Sequence, residues 1–196
     1  MAELPELLVP DAAGLRDWLK DNHTSSDGVR LVLTKKGGSD TTVTWEAAVE
    51  ELLCYGWIDG QAGKRDEGSY TIRITPRRPR SMWSQRNVEL VGQLERQRRM
   101  RAAGRAVVEA AKADGRWAAA YAASSVAEVP EDLLAAIAAE PEAQRMFDVL
   151  TKTNRFALYH RLNAVKRVET RERKIREFVA MLARHEAPYP QKARPE

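Results

Sequence analysis

The chain has 196 residues, of which 43% are apolar and 31% charged, and its formal net charge is +4. This length allows one domain with a hydrophobic core, and a single cysteine excludes an internal disulfide framework. We find no secretory signal and no stretch of about 18 apolar residues. We therefore expect a cytoplasmic protein without a membrane span.

Charge alternates in blocks along the chain. Residues 1–72 are acidic, whereas residues 73–105 hold ten arginines against two glutamates. Arginine forms planar, bidentate contacts with carboxylates and phosphates. The arginine block is therefore either an anion-binding surface or a set of partners for the acidic N-terminal block, and both interpretations stay open here.

The N-terminal third alternates between strand and helix patterns. A short apolar run that stops at Pro10 predicts an edge strand. Helical spacing predicts a helix that begins at Asp11, and alternation over residues 29–33 predicts a strand. A second amphipathic helix follows Thr44, its expected N-cap. Cys54 lies in the last turn of that helix, where a packed thiol is a commoner finding than a nucleophile.

Two further strands, at residues 57–64 and 69–75, are predicted to form a hairpin. The register that groups their apolar residues sets Asp59 opposite Arg73, on a polar face of the sheet. That register also sets Trp57 opposite Thr75 and Gln61 opposite Thr71. An ordinary solvated face with a cross-strand ion pair would show the same pattern. The candidate binding residues on this face are Trp57, Asp59, Gln61, Arg73 and Thr75.

The next segment is rich in arginine and proline. Its prolines exclude a helix over residues 76–80, which is therefore expected to be extended. Ser81 or Ser84 then caps a helix that runs to about Gln97. A helix N-terminus beside several arginines is a ready anion site. The candidate contacts in this segment are Arg77, Arg78, Ser81, Trp83, Ser84 and Asn87.

The remaining chain is predicted to be helical. A helix covers residues 102–113, and later helices begin near Pro130 and Pro141. Thr153 is the expected N-cap of another helix, and Ile175 opens the apolar stripe of the last one.

These elements predict an α+β fold. A small, mostly antiparallel sheet occupies residues 1–80, and an all-helical half at residues 81–186 is expected to pack on it as one structural unit. The proline-rich tail at residues 187–196 is expected to be disordered.

Motifs of known catalytic and cofactor sites are missing from the sequence. No glycine-rich phosphate loop precedes a helix, and no nucleophile elbow is present. The histidines lack metal-ligand spacing, and one cysteine cannot form a thiolate zinc site. Asp59 and Asp66 lack a partner at a diagnostic spacing. We therefore expect no cofactor and no metal, and lean towards a protein that is not an enzyme.

Two strings carry a family resemblance: GWIDGQ at residues 56–61 and TPRRPRSMWSQRN at 75–87. They resemble the bacterial YdeI/OmpD-associated family, and the resemblance extends over residues 5–185, including NAVKRVETRERKI at 163–175. It implies a bacterial protein associated with bacteriocin protection, resistance to antimicrobial peptides and stress. It attaches no reaction to these strings.

The leading hypothesis is non-catalytic binding of a small, partly anionic or aromatic ligand, either a small molecule or a peptide. Arg73, Arg77 and Arg78 would contact the anionic part, and Trp57 or Trp83 would stack on the planar part. An arginine-rich nucleic-acid binder and an enzyme acting on an anionic substrate are the alternatives. In the competing interpretation, the residues of these two motifs have a structural role and hold the sheet to the helices.

Overall fold

The computed structural model describes residues 4–122, 128–165 and 167–195. The chain divides into two compact units, residues 1–120 and residues 121–196. In chain order, the first unit contains β1 (Glu6–Leu7), α1 (Ala12–Asn22), β2 (Val29–Thr34), α2 (Trp45–Cys54), β3 (Trp57–Lys64), β4 (Ser69–Pro76), α3 (Gln85–Arg96) and α4 (Ala102–Ala113). The second contains α5 (Glu131–Ala138), α6 (Pro141–Asp148), α7 (Lys152–Asn163) and α8 (Val168–Ala183).

The four strands form one mixed sheet in the order β1-β2-β4-β3. β2, β4 and β3 are antiparallel neighbours, whereas the edge strand β1 runs parallel to β2. Helix α1 connects β1 to β2, and such a crossover returns the chain in the same direction. The fold is thus mixed, with its strands in the N-terminal half and most helices after them, and the sheet is not purely antiparallel.

One face of the sheet packs against the helices of the first unit. α1 begins at Asp11, whose side chain accepts a hydrogen bond from the Gly14 N–H at 2.8 Å, and α2 begins at Thr44, as predicted. Their apolar stripes meet the alternating apolar residues of β2 and β4 in one core. This core includes Leu15, Leu19, Leu31, Leu33, Leu52, Leu53, Ile72 and Ile74.

The boundary between the units does not lie at residue 80. Val91 and Leu94 of α3, and Val108 of α4, belong to the same core as the sheet. The stripes of α3 and α4 are needed to enclose α2, so these helices are part of the first unit. Only the helices from residue 121 onwards form a separate core.

The second unit is helical within its described residues, and one expected N-cap is wrong there. Thr151, and not Thr153, caps α7 by accepting a hydrogen bond from the Asn154 N–H. α5 begins at Glu131 with Pro130 as its N-cap, close to the predicted start. The apolar residues of its core include Leu133, Ile137, Met146, Phe147, Leu158, Phe178 and Leu182.

The expected disorder of the C-terminal tail is also wrong for residues 187–195. The buried side chain of Asn154 receives a hydrogen bond from the Tyr189 N–H at 2.8 Å and donates one to the Gln191 Oε1 at 2.7 Å. Gln191 in turn donates to the Val149 carbonyl oxygen. A single buried amide therefore fixes the tail against α7.

Candidate functional site

Trp57, the first residue of β3, is a core residue. Its side chain is 1% exposed, and its indole Nε1–H donates a hydrogen bond to the His23 carbonyl oxygen at 3.2 Å. The ring of Trp18 meets it edge-on, with 5.6 Å between centroids. Trp57 therefore attaches the C-terminal end of α1 to the sheet, and its ring is closed to a stacking ligand.

The predicted pairing of Asp59 with Arg73 is wrong. Asp59 lies opposite Ile74, and its Oδ2 accepts a hydrogen bond from the Trp45 Nε1–H at 3.1 Å. A β-bulge between Asp59 and Ala62 reverses the alternation of β3, so that both residues share the core face. Asp59 and Arg73 consequently lie on opposite faces of the sheet.

The other two predicted pairs are not formed either. Trp57 lies opposite Pro76 instead of Thr75, and Thr71 lies opposite Gly63. Gln61 falls within the bulge, where it is exposed. The polar face is therefore not assembled as the alternation of residue types predicts.

Arg73 and Thr75 lie on the outer face of β4. Arg73 is exposed, and its neighbour in register on β2 is Arg30. Neither arginine forms an ion pair within residues 4–122 or the other described ranges. Two like charges side by side repel each other. An anion bound on this face would relieve that repulsion.

Arg77 and Trp83 form an internal pair. The guanidinium carbon of Arg77 lies 3.7 Å from the centroid of the Trp83 ring, and its Nη1–H donates to the Met82 carbonyl oxygen at 3.0 Å. Trp83 is 2% exposed and meets Trp117 edge-on at 4.9 Å. This cation–π contact fixes the segment between β4 and α3, and it leaves the Trp83 ring inaccessible to a ligand.

The serines after Pro79 serve the local backbone. Ser81 Oγ accepts a hydrogen bond from the Arg78 N–H at 3.0 Å, which closes a turn. Ser84 is the N-cap of α3 and accepts from the Asn87 N–H at 3.1 Å. The α3 N-terminus is thus already capped by its own chain. Arg78 is exposed, and the side chains of Arg78 and Asn87 form no hydrogen bond within the described residues.

One residue of the arginine block, Arg99, neutralises acids of the N-terminal region. Arg99, between α3 and α4, donates hydrogen bonds to Glu50 and Glu51 of α2, both at 2.6 Å. Arg16 of α1 makes a bidentate contact with the same Glu51. Arg86 places its guanidinium 4.4 Å from the centroid of the Trp45 ring. The interpretation that the block partners the acidic N-terminal region therefore holds for Arg99.

A concave basic site lies elsewhere in the first unit. It is a cavity of about 550 Å³ where the exposed face of α1, the residue after α2 and the first turn of α4 meet. Its volume is within the range typical of small-molecule sites. Its lining residues are Arg16, Asp17, Lys20, His23, Tyr55, Arg101, Ala102 and Ala103.

The charges around this cavity are predominantly positive. Glu51 balances Arg16, and its hydrogen bonds raise the pKa of that guanidinium above its usual value. Lys20 and Arg101 form no ion pair within the described residues, and Asp17 is the one acidic side chain of the lining. The cationic side chains of Lys20 and Arg101 could therefore both form ion pairs with an anion bound in the cavity.

Uncommitted hydrogen-bond donors complete the cavity. α4 begins at Arg101, and no side chain of the described residues caps it, so its first N–H groups and the positive end of its dipole remain available. Tyr55 is 6% exposed, and its hydroxyl makes no hydrogen bond to any described residue. His23 faces the Tyr55 ring at 5.2 Å and uses Nδ1 to donate to the Leu19 carbonyl oxygen.

Sequence reasoning missed this cavity. Its residues come from three segments that are far apart in the chain, and none of them contains a recognised motif. One signal was present: Arg16, Lys20 and His23 are spaced by four and three residues, which places them on one helical face. No role was predicted for that face from the sequence.

Cys54 is 2% exposed, which supports the packed-thiol interpretation. Burial, helped by the nearby Glu51 charge, raises the pKa of its thiol to about 11. We expect the native protein to react with a thiol reagent at neutral pH about 100-fold more slowly than the unfolded chain, because both thiolate fraction and access are reduced. Ellman's reagent with and without denaturant measures this directly, since the chain has one cysteine. Equal rates in both states would contradict it.

The described ranges contain neither a candidate metal cluster nor a candidate membrane span. No group of three or more histidine, cysteine or carboxylate side chains there is arranged to hold a metal ion. None of the described helices combines the length and the hydropathy needed to cross a bilayer.

The fold and cavity define a two-unit protein of helices and one mixed sheet, with a basic cavity in its first unit. The chain belongs to the family of the domain of unknown function DUF8412, whose model matches residues 7–107. Residues 126–185 match the family described as Bacteriocin-protection, YdeI or OmpD-Associated, and this confirms the predicted family. The match falls in the second unit, whereas GWIDGQ and TPRRPRSMWSQRN lie in the DUF8412 segment. No curated protein and no solved structure matches the chain.

Proposed function

We propose that this protein is a non-catalytic, bacteriocin-protection-associated protein that binds a small phosphate-bearing or similarly charged anion in the basic cavity of its first unit. The observation that carries the proposal is the meeting of Lys20, Arg101, the Tyr55 hydroxyl and the uncapped α4 N-terminus around one concave space. Cations and N–H donors that converge on a cavity favour an anion over a neutral ligand.

The proposal is for binding, because no catalytic pair is found among the described lining residues. The nearby Cys54 thiol is protonated at neutral pH. His23 already donates through Nδ1 to Leu19, and Asp17 is an exposed carboxylate one turn from Lys20. A nucleophile with an adjacent base is the minimum for covalent catalysis, and these groups do not form one.

The charge of the residues that line the cavity determines which class of ligand it can bind. A cationic bacteriocin peptide would be repelled by Lys20 and Arg101, so direct capture of such a peptide at this site is not part of the proposal. A small anionic effector is the compatible ligand. Bacteriocin protection, taken from the family description, would be the biological setting in which it is bound.

The test is titration with inorganic phosphate and pyrophosphate, followed through the imidazole resonances of the three histidines. We expect saturable shifts of His23, which lines the cavity, and none of His185. Arg101→Gln should weaken binding about tenfold, because it removes a charge-assisted hydrogen bond. Tyr55→Phe should weaken it about threefold, because it removes one neutral donor.

Arg73→Gln is the matched control, since it removes the same charge from an exposed site on the sheet. Unchanged affinity in Arg73→Gln supports the cavity. Loss of binding in Arg73→Gln and not in Arg101→Gln would overturn the location and favour the outer sheet face beside Arg30. Absence of any saturable shift in the wild type would overturn the function. A salt-sensitive complex with single-stranded oligonucleotides alone would favour the nucleic-acid alternative.

A further inference from the structure

A second cavity lies in the helical unit, on one face of α7. Its volume is about 400 Å³, enough for a ligand of one or two rings. Five lining residues belong to α7 at positions i, i+3, i+4, i+7 and i+8, so they form one continuous face. The sixth comes from the tail. The lining consists of Thr153, Phe156, Ala157, His160, Arg161 and Tyr189.

The tail residue is held in place as a wall of this cavity. The Tyr189 N–H donates to the buried Asn154 Oδ1 at 2.8 Å, and the Asn154 amide donates to the Tyr189 carbonyl oxygen at 3.1 Å. Two hydrogen bonds between one buried amide and one backbone residue fix both position and orientation. The aromatic ring of Tyr189 is therefore presented beside α7 by a rigid support.

His160 is the polar centre of the aromatic wall. Its ring lies 4.7 Å from Tyr121 and 5.7 Å from Phe156, between centroids. Burial, with a smaller contribution from the Arg161 charge, lowers the pKa of His160, so the ring is neutral at neutral pH. Its nitrogens make no hydrogen bond to the described residues, so one donor and one acceptor remain for a ligand.

Arg161 supplies the charge of the cavity. Its guanidinium lies 5.3 Å from the centroid of the Tyr189 ring, and it forms no ion pair in the described part of the chain. Because this cation already occupies one aromatic face, a cationic ligand would be repelled. A carboxylate would gain a bidentate partner at Arg161.

We propose that this cavity binds a small aromatic carboxylate. The ring of the ligand lies against Phe156 and Tyr189, its carboxylate contacts Arg161, and His160 hydrogen-bonds to a polar substituent or to the carboxylate itself. The site is in a different unit from the basic cavity and takes an aromatic ligand, so it goes beyond the function proposed above and does not depend on it.

The test uses benzoate and indole-3-carboxylate as probes at neutral pH. We expect saturable shifts of the His160 imidazole resonances, with those of His23 and His185 unchanged. The three histidines separate the sites: His23 lines the first cavity, His160 lines the second, and His185 pairs with Glu142 outside both. Absence of binding at one cavity can therefore be distinguished from absence of binding at the other.

Arg161→Gln should weaken benzoate binding about tenfold, whereas the neutral analogue benzamide should bind both forms equally. Arg173→Gln, an exposed change on α8, is the matched control and should leave benzoate binding unaltered. The inference is overturned if millimolar benzoate leaves His160 unshifted, or if Arg161→Gln and Arg173→Gln bind benzoate alike. It is also overturned if benzamide binds the wild type as tightly as benzoate does.

Discussion

Glu51→Ala is expected to lower the free energy of unfolding of the first unit by about 3 kcal/mol. The Glu51 side chain is 2% exposed and accepts hydrogen bonds from Arg16 at 2.9 and 2.5 Å and from Arg99 at 2.6 Å. Removing the carboxylate leaves two guanidinium groups facing each other without their shared partner. Both arginines are partly exposed, so water recovers part of the lost interaction and the loss stays below that of a fully buried pair.

Denaturant unfolding followed by tryptophan fluorescence measures this loss. All five tryptophans lie within residues 1–120, so the signal reports on the first unit. Glu50→Ala is the control, because the Glu50 side chain is 33% exposed and its ion pair, within the described residues, is with Arg99 alone. It should cost less than about 1 kcal/mol. Equal losses in the two variants would show that the buried carboxylate has no special role.

Gly104→Ala is expected to destabilise the first unit by about 3 kcal/mol, although alanine is the better helix former. A Cβ atom at this position would lie 2.3 Å from the Cys54 carbonyl oxygen and 2.6 Å from that of Leu53. Both atoms belong to the backbone of α2, which cannot rotate away. α4 would have to move from α2, and the Arg101 N–H to Cys54 hydrogen bond at 3.1 Å would be strained.

Gly92→Ala on α3 is the matched comparison for Gly104→Ala. There the new Cβ would meet only the flexible end of Arg96 at 3.7 Å. Helix propensity then dominates, and the variant should be more stable than the wild type by about 0.5–1 kcal/mol. Opposite signs for the two substitutions, measured by the same denaturant titration, are the expected outcome. A stabilised Gly104→Ala protein would contradict the close helix contact.

The sequence predicted elements better than it predicted how they meet. Period-2 patterns located β2 and β4, and β3 was placed as the partner of β4 in a predicted hairpin. The register predicted for the start of the hairpin was wrong, because a β-bulge shifts the in–out alternation of a strand by one residue. No residue type in this strand identifies the bulge. Trp57 and Asp59 were therefore assigned to the wrong face. Tryptophan also fits either a core or a binding face, and only the contact with Trp18 decides between them.

The basic cavity could not be predicted for a different reason. Its cations are ordinary surface residues when each helix is considered alone. They become a site only because Gly104 allows α4 to approach α2, which places Arg101 near α1. Such long-range packing is not encoded in local periodicity. Tyr55 was likewise indistinguishable from the other aromatic residues that end or flank a helix.

The bulge in β3 has a consequence for how the molecule behaves at high concentration. β3 and β1 are the two edges of the sheet, where unpaired backbone groups can recruit another chain. β1 has only two residues, and β3 is interrupted at Asp59–Ala62 and ends at Lys64. Neither edge offers a long, flat template for intermolecular pairing. The irregular GWIDGQ strand therefore protects the protein against edge-to-edge aggregation, a role that requires no ligand.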